Sequence, residues 1–184
     1  MTKISREEYS REIARIHQLY QYEETLYKKG ILHVAGVDEA GRGPLAGPVV
    51  AGAVILPPYC EILGLDDSKK ISEKKRYHLE EEIKAKALSW AIGGVTPREI
   101  DRINIYQATI RAMMLAIRKL CLTPEYLLID AMKLKEVALP QTGIIKGDQK
   151  SASIAAAGIL AKCHRDRLMT LYEKRYPGYG FRAT

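Results

Sequence analysis

Apolar residues recur at helical spacing through residues 4–29. Ile4, Ile13, Ile16, Leu19, Tyr20, Leu26 and Tyr27 stand among charged positions, and Gly30 follows them. This pattern predicts one amphipathic helix, stopped at the glycine and packed on the outside of a domain. The period then changes. ILHVAGVDE (31–39) and GPVVAGAVIL (47–56) are near-continuous apolar runs of strand length, the pattern of strands covered on both faces. The small residues of the second run predict tight packing, and Pro57 and Pro58 close it. A polar loop, GLDDSKKIS, leads into a helix from about Glu73 to Leu88 with Ser72 as its N-cap. SWAIGGV is a third strand. Thr96 and Pro97 open a short helix, and NIYQATIRAMMLAIRKL continues as an apolar, buried one. EYLLIDA is a fourth strand ending at Asp130, and TGIIKGD a short fifth ending at Asp148. From Ser151 to about Tyr176 runs a last helix, small and apolar in its first half and charged in its second. The order of elements predicts an α/β domain, a mixed five-stranded sheet flanked by helices, with no internal linker.

The chain has 184 residues, enough for one domain with a real core. Its formal net charge of +7 favours an anionic partner, nucleic acid or a membrane surface. Only 7% of its residues are aromatic, which argues against a broad platform for stacking bases. Cys60, Cys121 and Cys163 form no C-x-x-C pair, so neither a disulfide framework nor a structural zinc site is expected. The first twenty residues are charged throughout, unlike a signal peptide, and no apolar run reaches the length of a membrane span. These features predict a soluble chain of the cytoplasm.

Asp38, Asp130 and Asp148 each fall at the predicted C-terminal end of a strand, the edge where open α/β sheets gather ligands. Glu39 adds a fourth acid. Adjacent strand residues point to opposite faces, so Asp38 and Glu39 share a target only if the strand ends there. Four neighbouring carboxylates do not all stay ionised without compensation. A hard divalent cation, Mg²⁺ or Mn²⁺, would supply it through all-oxygen ligands, and two such ions suit phosphodiester cleavage. Taken singly, each acid fits a solvated strand-end or turn residue better, as Asp66, Asp67 and Glu80 to Glu82 do, and it is the repeated pairing of an acid with a strand end that points to a site. No pair of histidines has metal-ligand spacing.

The glycines of Gly41-Arg42-Gly43 would let backbone approach a sugar-phosphate, and Arg42 could pair with a phosphate. The same tripeptide fits a turn with a solvated arginine. Ser68 and Lys69, in the loop before a helix, offer phosphate donors or simply a polar loop. Asn104 and Gln107, one turn apart, could reach a backbone or base edge, or could line an exposed helix face. Lys146 stands two residues before Asp148 and could offset the acids.

VAGVDEAGRGPLAGPVVAGAV, DSKKIS, NIYQAT, LLIDA and KGDQKSASIAAAGILAKCHRDRLM, in that order, resemble the bacterial ribonuclease HII family of type 2 ribonucleases H. The resemblance covers nearly everything from residue 33 to 180. It implies a ribonuclease H-like fold at residues 31–184, with residues 1–30 as a helical extension. It also implies metal-dependent cleavage of the RNA strand of RNA–DNA hybrids and nicking 5′ of single ribonucleotides in duplex DNA, leaving 3′-hydroxyl and 5′-phosphate ends. Asp38, Glu39, Asp130 and Asp148 would be the acids of a two-metal Mg²⁺ or Mn²⁺ site. The backbone of Gly41, Arg42 and Gly43 would sense the ribose 2′-OH, and Lys69 would contact phosphate. A monomer is expected. The sister ribonuclease HIII carries an extra N-terminal domain, for which the segment before residue 31 is too short. In the family, YPGYGF is followed by a histidine-lysine-glycine-tyrosine-like motif whose tyrosine stacks near the junction of ribonucleotide and DNA. Here the chain reads YPGYGFRAT, so it is expected to be C-terminally shortened, with a catalytically impaired hybrid-binding fragment as the alternative function. Gly158 stands where the family usually has serine.

Overall fold

The computed structural model describes residues 4–43 and 46–181. In chain order the elements are α1 (Arg6–Gln18), α2 (Gln21–Tyr27), β1 (Val34–Ala40), β2 (Val49–Ile55), α3 (Glu73–Lys86), β3 (Ser89–Val95), α4 (Pro97–Ile103), α5 (Ile105–Lys119), β4 (Tyr126–Asp130), β5 (Gln141–Ile144) and α6 (Ala152–Arg175). Short 3-10 turns lie at Ser68–Lys70 and Gly147–Gln149. The strands form one mixed sheet in the order β3-β2-β1-β4-β5. β1, β2 and β3 pair antiparallel, and β1, β4 and β5 pair parallel. The C-terminal ends of β1, β3, β4 and β5 therefore share one edge of the sheet. Among the described residues no helix is long and apolar enough to cross a membrane.

Strand alternation divides the core into two layers. Ala35 and Val37 of β1 and Val49, Ala51, Ala53 and Ile55 of β2 face α5, meeting Ala108, Ala112, Met113 and Ala116. The intervening residues face α6. There Gly36 and Gly52 present bare backbone, against Ser153 and Ala157 respectively, and a Cβ at either would lie well inside contact distance of the helix main chain. The small first half of α6 and these two glycines together let the helix lie directly on the sheet. Asp38 follows Gly36 on the same face, and a Cβ at Gly158 would run into its carboxylate.

Residues 4–29 are two helices, not the single one that periodicity predicts. α1 opens with a capping box between Ser5 and Glu8. The break comes because the Leu19 carbonyl accepts from the Ala152 amide of α6 (2.9 Å). Leu19 and Tyr20 turn into the core with Ile16, and the Tyr20 hydroxyl donates to the Cys60 carbonyl (2.6 Å). The segment is thus built into the α6 layer.

Glu23 of α2 is fully buried. Burial pushes its carboxyl up to about 7 against the pull of hydrogen bonds from Ser153 and Ser151. A carboxyl that holds its proton more tightly folded than unfolded costs stability as pH rises from its ordinary 4.5 through about 7. Over that window the wild type is expected to lose on the order of 3 kcal/mol relative to Glu23→Gln, with no further change above it. Denaturant unfolding of both proteins at pH 5 and pH 8 measures the difference. A constant gap between them would refute it.

Candidate active site

β1 outlasts its parallel partner. Its pairing with β4 stops at Val37↔Ile129, while its pairing with β2 continues to Ala40↔Val50. The last residues of β1 are therefore paired with β2 on one side only and border the end of β4 on the other. Asp38, Glu39 and Asp130 meet there, each offering a carboxylate oxygen within 4.8 Å of the others. Asp38 and Glu39 reach a common target although their strand runs on to Ala40, contrary to the expectation that the strand must end.

Asp148 is not at a strand end. β5 stops at Ile144, Lys146 takes a left-handed conformation (φ 53°), and Asp148 lies in the 3-10 turn that follows. The exposed Ile145 extended the apolar pattern past the real end of the strand. The turn still sits beside the other acids. The Gly147 amide donates to Asp130 Oδ1 (2.7 Å), and Asp148 is close enough to Asp38 for its charge to act there.

Electrostatics follow from this crowding. Burial first, then Glu39 and Asp130, hold the Asp38 carboxyl well above the ordinary range. Glu39 is raised by burial and by Asp130, with partial relief from Arg42. Asp148 is raised to about 6 by burial, then by Asp67 and Asp130. Oxygen-only donors with elevated carboxyls suit a hard divalent cation. One atom adds to the fit: Glu39 Oε2 is buried and has no hydrogen-bond partner in the protein.

The other expected residues divide. Gly41 has φ 97°, and a Cβ there would strike Arg165 and the Pro48 carbonyl, so its glycine is required by the loop itself. Gly43 is exposed, and a Cβ added to it would meet nothing within 4 Å, which leaves its backbone open to a ligand. Arg42 Nη1 lies 3.9 Å from Glu39 Oε1, beside the acids. Lys69 is exposed, and its charge lowers the Asp148 carboxyl. Ser68 opens the same 3-10 turn, its carbonyl accepting from Arg76 (3.1 Å). Lys146, expected to offset the acids, is exposed, and it is Lys69 that ranks among the main influences on Asp148. Asn104 and Gln107 follow β3 at the shared sheet edge. Asn104, at φ 73°, spends its side-chain oxygen on the Gln107 amide (2.9 Å), capping α5.

Two residues that the sequence reads as solvated take part in the site. Asp67 is buried, stands beside Asp148, whose carboxyl its charge raises, and accepts from the Lys69 amide (2.9 Å). It holds the lysine-bearing turn against the acids. Its signal was a helix-capping position two residues before that lysine. Arg165, 1% exposed on α6, donates through Nε to the Pro48 carbonyl (3.0 Å) and through Nη2 to the Ala46 carbonyl (2.8 Å). It anchors the far side of the loop that begins at Gly41. In the sequence it lies in a charged run and reads as solvated.

Residues 35–183 match the family model described as Ribonuclease HII. The chain belongs to the ribonuclease HII family. Proteins named Ribonuclease HII from Enterococcus faecalis and Bacillus thuringiensis are 57% and 58% identical to it over 165 and 164 residues. Those alignments cover 90% and 89% of this chain but 64% and 63% of the relatives, so the chain spans a little under two thirds of their length. Among solved structures, ribonuclease H2 from Pyrococcus horikoshii OT3 superposes with a TM-score of 0.70 at 27% identity, over 80% of this chain and 78% of that one. The span matched to ribonuclease HII contains all four acids and the GRG loop. The family model starts after α1 and α2, whereas the 165-residue alignment with the Enterococcus faecalis relative takes in α2.

Proposed function

We propose that this chain is a metal-dependent endoribonuclease that cleaves the RNA strand of RNA–DNA hybrids and nicks duplex DNA 5′ of an embedded ribonucleotide. The convergence of Asp38, Glu39 and Asp130, with the unpartnered Glu39 Oε2 among them, carries the reading. Family membership and the net charge of +7 support it.

Asp38, Glu39 and Asp130, with Asp148 beside them, would hold Mg²⁺ or Mn²⁺, which supplies an activated water and stabilises the leaving 3′-oxygen. The protein's own groups do the rest. The open backbone at Gly43 lets a ribose approach, so that a main-chain contact to the 2′-OH distinguishes RNA from DNA. Gly41 and Arg165 fix the start and the return of that loop. Lys69, steadied by the bond from its amide to Asp67, offers its ammonium group to a phosphate on the Asp148 side. No side chain needs to act as a nucleophile.

The test uses two substrates, a DNA duplex with one internal ribonucleotide and a continuous RNA–DNA hybrid, each with Mg²⁺, with Mn²⁺ and with chelator. Cation-dependent cleavage of both, with 3′-hydroxyl products, is expected. Cleavage of the hybrid alone would remove the junction-nicking half of the proposal. Binding of both without cleavage would make the chain a hybrid-binding fragment and overturn the enzyme reading.

A further inference from the structure

α1 and α2 precede the span of the family model, although the 165-residue alignment with the Enterococcus faecalis relative takes in α2, and they pack on the start of α6, just after the turn that carries Asp148. Two of the four free amides at the start of α6 are taken by this segment. The Ala152 amide donates to the Leu19 carbonyl (2.9 Å), and the Ser153 amide donates to Glu23 Oε2 (3.1 Å). The same carboxylate oxygen accepts from the hydroxyls of Ser153 (3.1 Å) and Ser151 (3.2 Å).

From Ser151 the bonding continues inward. Its amide donates to the Gly147 carbonyl (2.8 Å), and the Gly147 amide donates to Asp130 Oδ1 (2.7 Å). Glu23 is therefore joined to Asp130 through two residues, and Asp148 sits on the turn between them. A fully buried carboxylate is costly unless its hydrogen bonds are satisfied, and one oxygen here, Glu23 Oε1, has no protein partner. A leucine there would leave the Ser153 amide and the hydroxyls of Ser151 and Ser153 without their acceptor. What the glutamate adds is an acceptor for three donors that converge on one turn.

We infer that Glu23 is a positioning residue for the carboxylate centre, fixing through Ser151 and Gly147 the turn that carries Asp148 and the amide that orients Asp130. The inference rests on the proposed metal-dependent reading. It makes the N-terminal helix pair a working part of the catalytic unit.

The test is calorimetric titration of the full chain with Mn²⁺ alone at pH 8, on the wild type, Glu23→Gln, Glu23→Leu and Ser151→Ala. Groups that orient metal ligands from outside the coordination sphere commonly change metal affinity tenfold or more. Glu23→Leu and Ser151→Ala are each expected to raise the Mn²⁺ dissociation constant about tenfold. Glu23→Gln keeps a carbonyl oxygen for the same donors and is expected to stay within about twofold. On an RNA–DNA hybrid, Glu23→Leu should lower kcat with little change in KM. If Glu23→Leu melts earlier but binds Mn²⁺ like the wild type, Glu23 is only a packing residue and the inference is overturned. Equal weakening by Gln and Leu would overturn the hydrogen-bond account as well. Should Glu23→Leu fail to fold, Ser151→Ala decides alone, since unchanged Mn²⁺ affinity in it breaks the proposed path. A wild type that binds Mn²⁺ without cleaving hybrid would end the nuclease reading while the affinity comparison still judged Glu23. A wild type that takes up no Mn²⁺ would end both.

Discussion

Asp38→Asn is expected to abolish cation-dependent cleavage, lowering the rate by about a thousandfold or more while the protein stays folded. The reasoning starts from position. Asp38 is the most enclosed of the acids, set on the α6 face of β1 and pressed against Gly158. Its Oδ1 accepts from the Glu39 amide (2.8 Å), a bond an asparagine oxygen can also accept. The substitution therefore keeps shape and removes charge. Loss of a ligand charge from a site where metal stabilises a reacting phosphate removes several kcal/mol, and each 1.36 kcal/mol is about tenfold in rate. A second consequence has the opposite sign. Asp38 is raised by burial and then by Glu39 and Asp130, so its ionised form works against the metal-free fold. That cost is absent at low pH and grows as pH rises through its elevated folded value. With chelator present, Asp38→Asn should melt above the wild type at pH 8 and closer to it at pH 5. Retained cleavage would remove Asp38 from the proposed chemistry. A lower melting temperature at pH 8 would mean the carboxylates do not oppose one another as their placement implies.

Much of this arrangement was legible in the sequence, for reasons that can be stated. Asp38 and Asp130 close apolar runs of strand length, and a strand-end acid leads to the ligand edge of an α/β sheet. The small residues of β2 already predicted close packing, and Gly52 against Ala157 is that contact. What periodicity does not carry is which strands are neighbours. The order β3-β2-β1-β4-β5 brings β4 beside β1, pairing Val37 with Ile129, and only that pairing joins Asp130 to Asp38. Asp148 was placed at a strand end because Ile144 and Ile145 continue an apolar run, while the chain leaves the sheet after Ile144. Glu23 carried no signal. Within the single helix predicted for residues 4–29 it is one more charged position among charged neighbours, and only the docking of α6 buries it. Arg165 was hidden in the same way, a charged residue in a charged run that the fold turns inward to hold main-chain carbonyls.

Gly36→Ala is expected to be among the most destabilising single changes in the chain, on the order of 3 kcal/mol or more. A Cβ at this position would not meet a movable side chain. It would enter the space of the Ser153 carbonyl group and the Ile154 amide, the main chain of α6 itself. Overpacking a dense core usually costs about 1–3 kcal/mol, and the upper end applies where the obstacle is backbone. Relief requires the helix to lift from the sheet. That motion would strain the bonds from Ala152 to Leu19 and from Ser153 to Glu23, and would draw Gly158 away from Asp38. For a domain of this size, 3 kcal/mol corresponds to a fall in melting temperature of roughly 6–12 °C. Gly43→Ala is the matched control. Nothing lies within 4 Å of its added Cβ, so its stability should stay within about 0.5 kcal/mol of wild type. The two alanines then separate two uses of glycine in one short stretch. At Gly36 the missing side chain lets a helix touch the sheet, and thermal unfolding reports its loss. At Gly43 the proposed function needs the room for a ribose, so the same methyl group should leave the melting temperature alone and weaken cleavage. Equal melting temperatures for the two variants would mean that α6 does not rest on the bare backbone of β1.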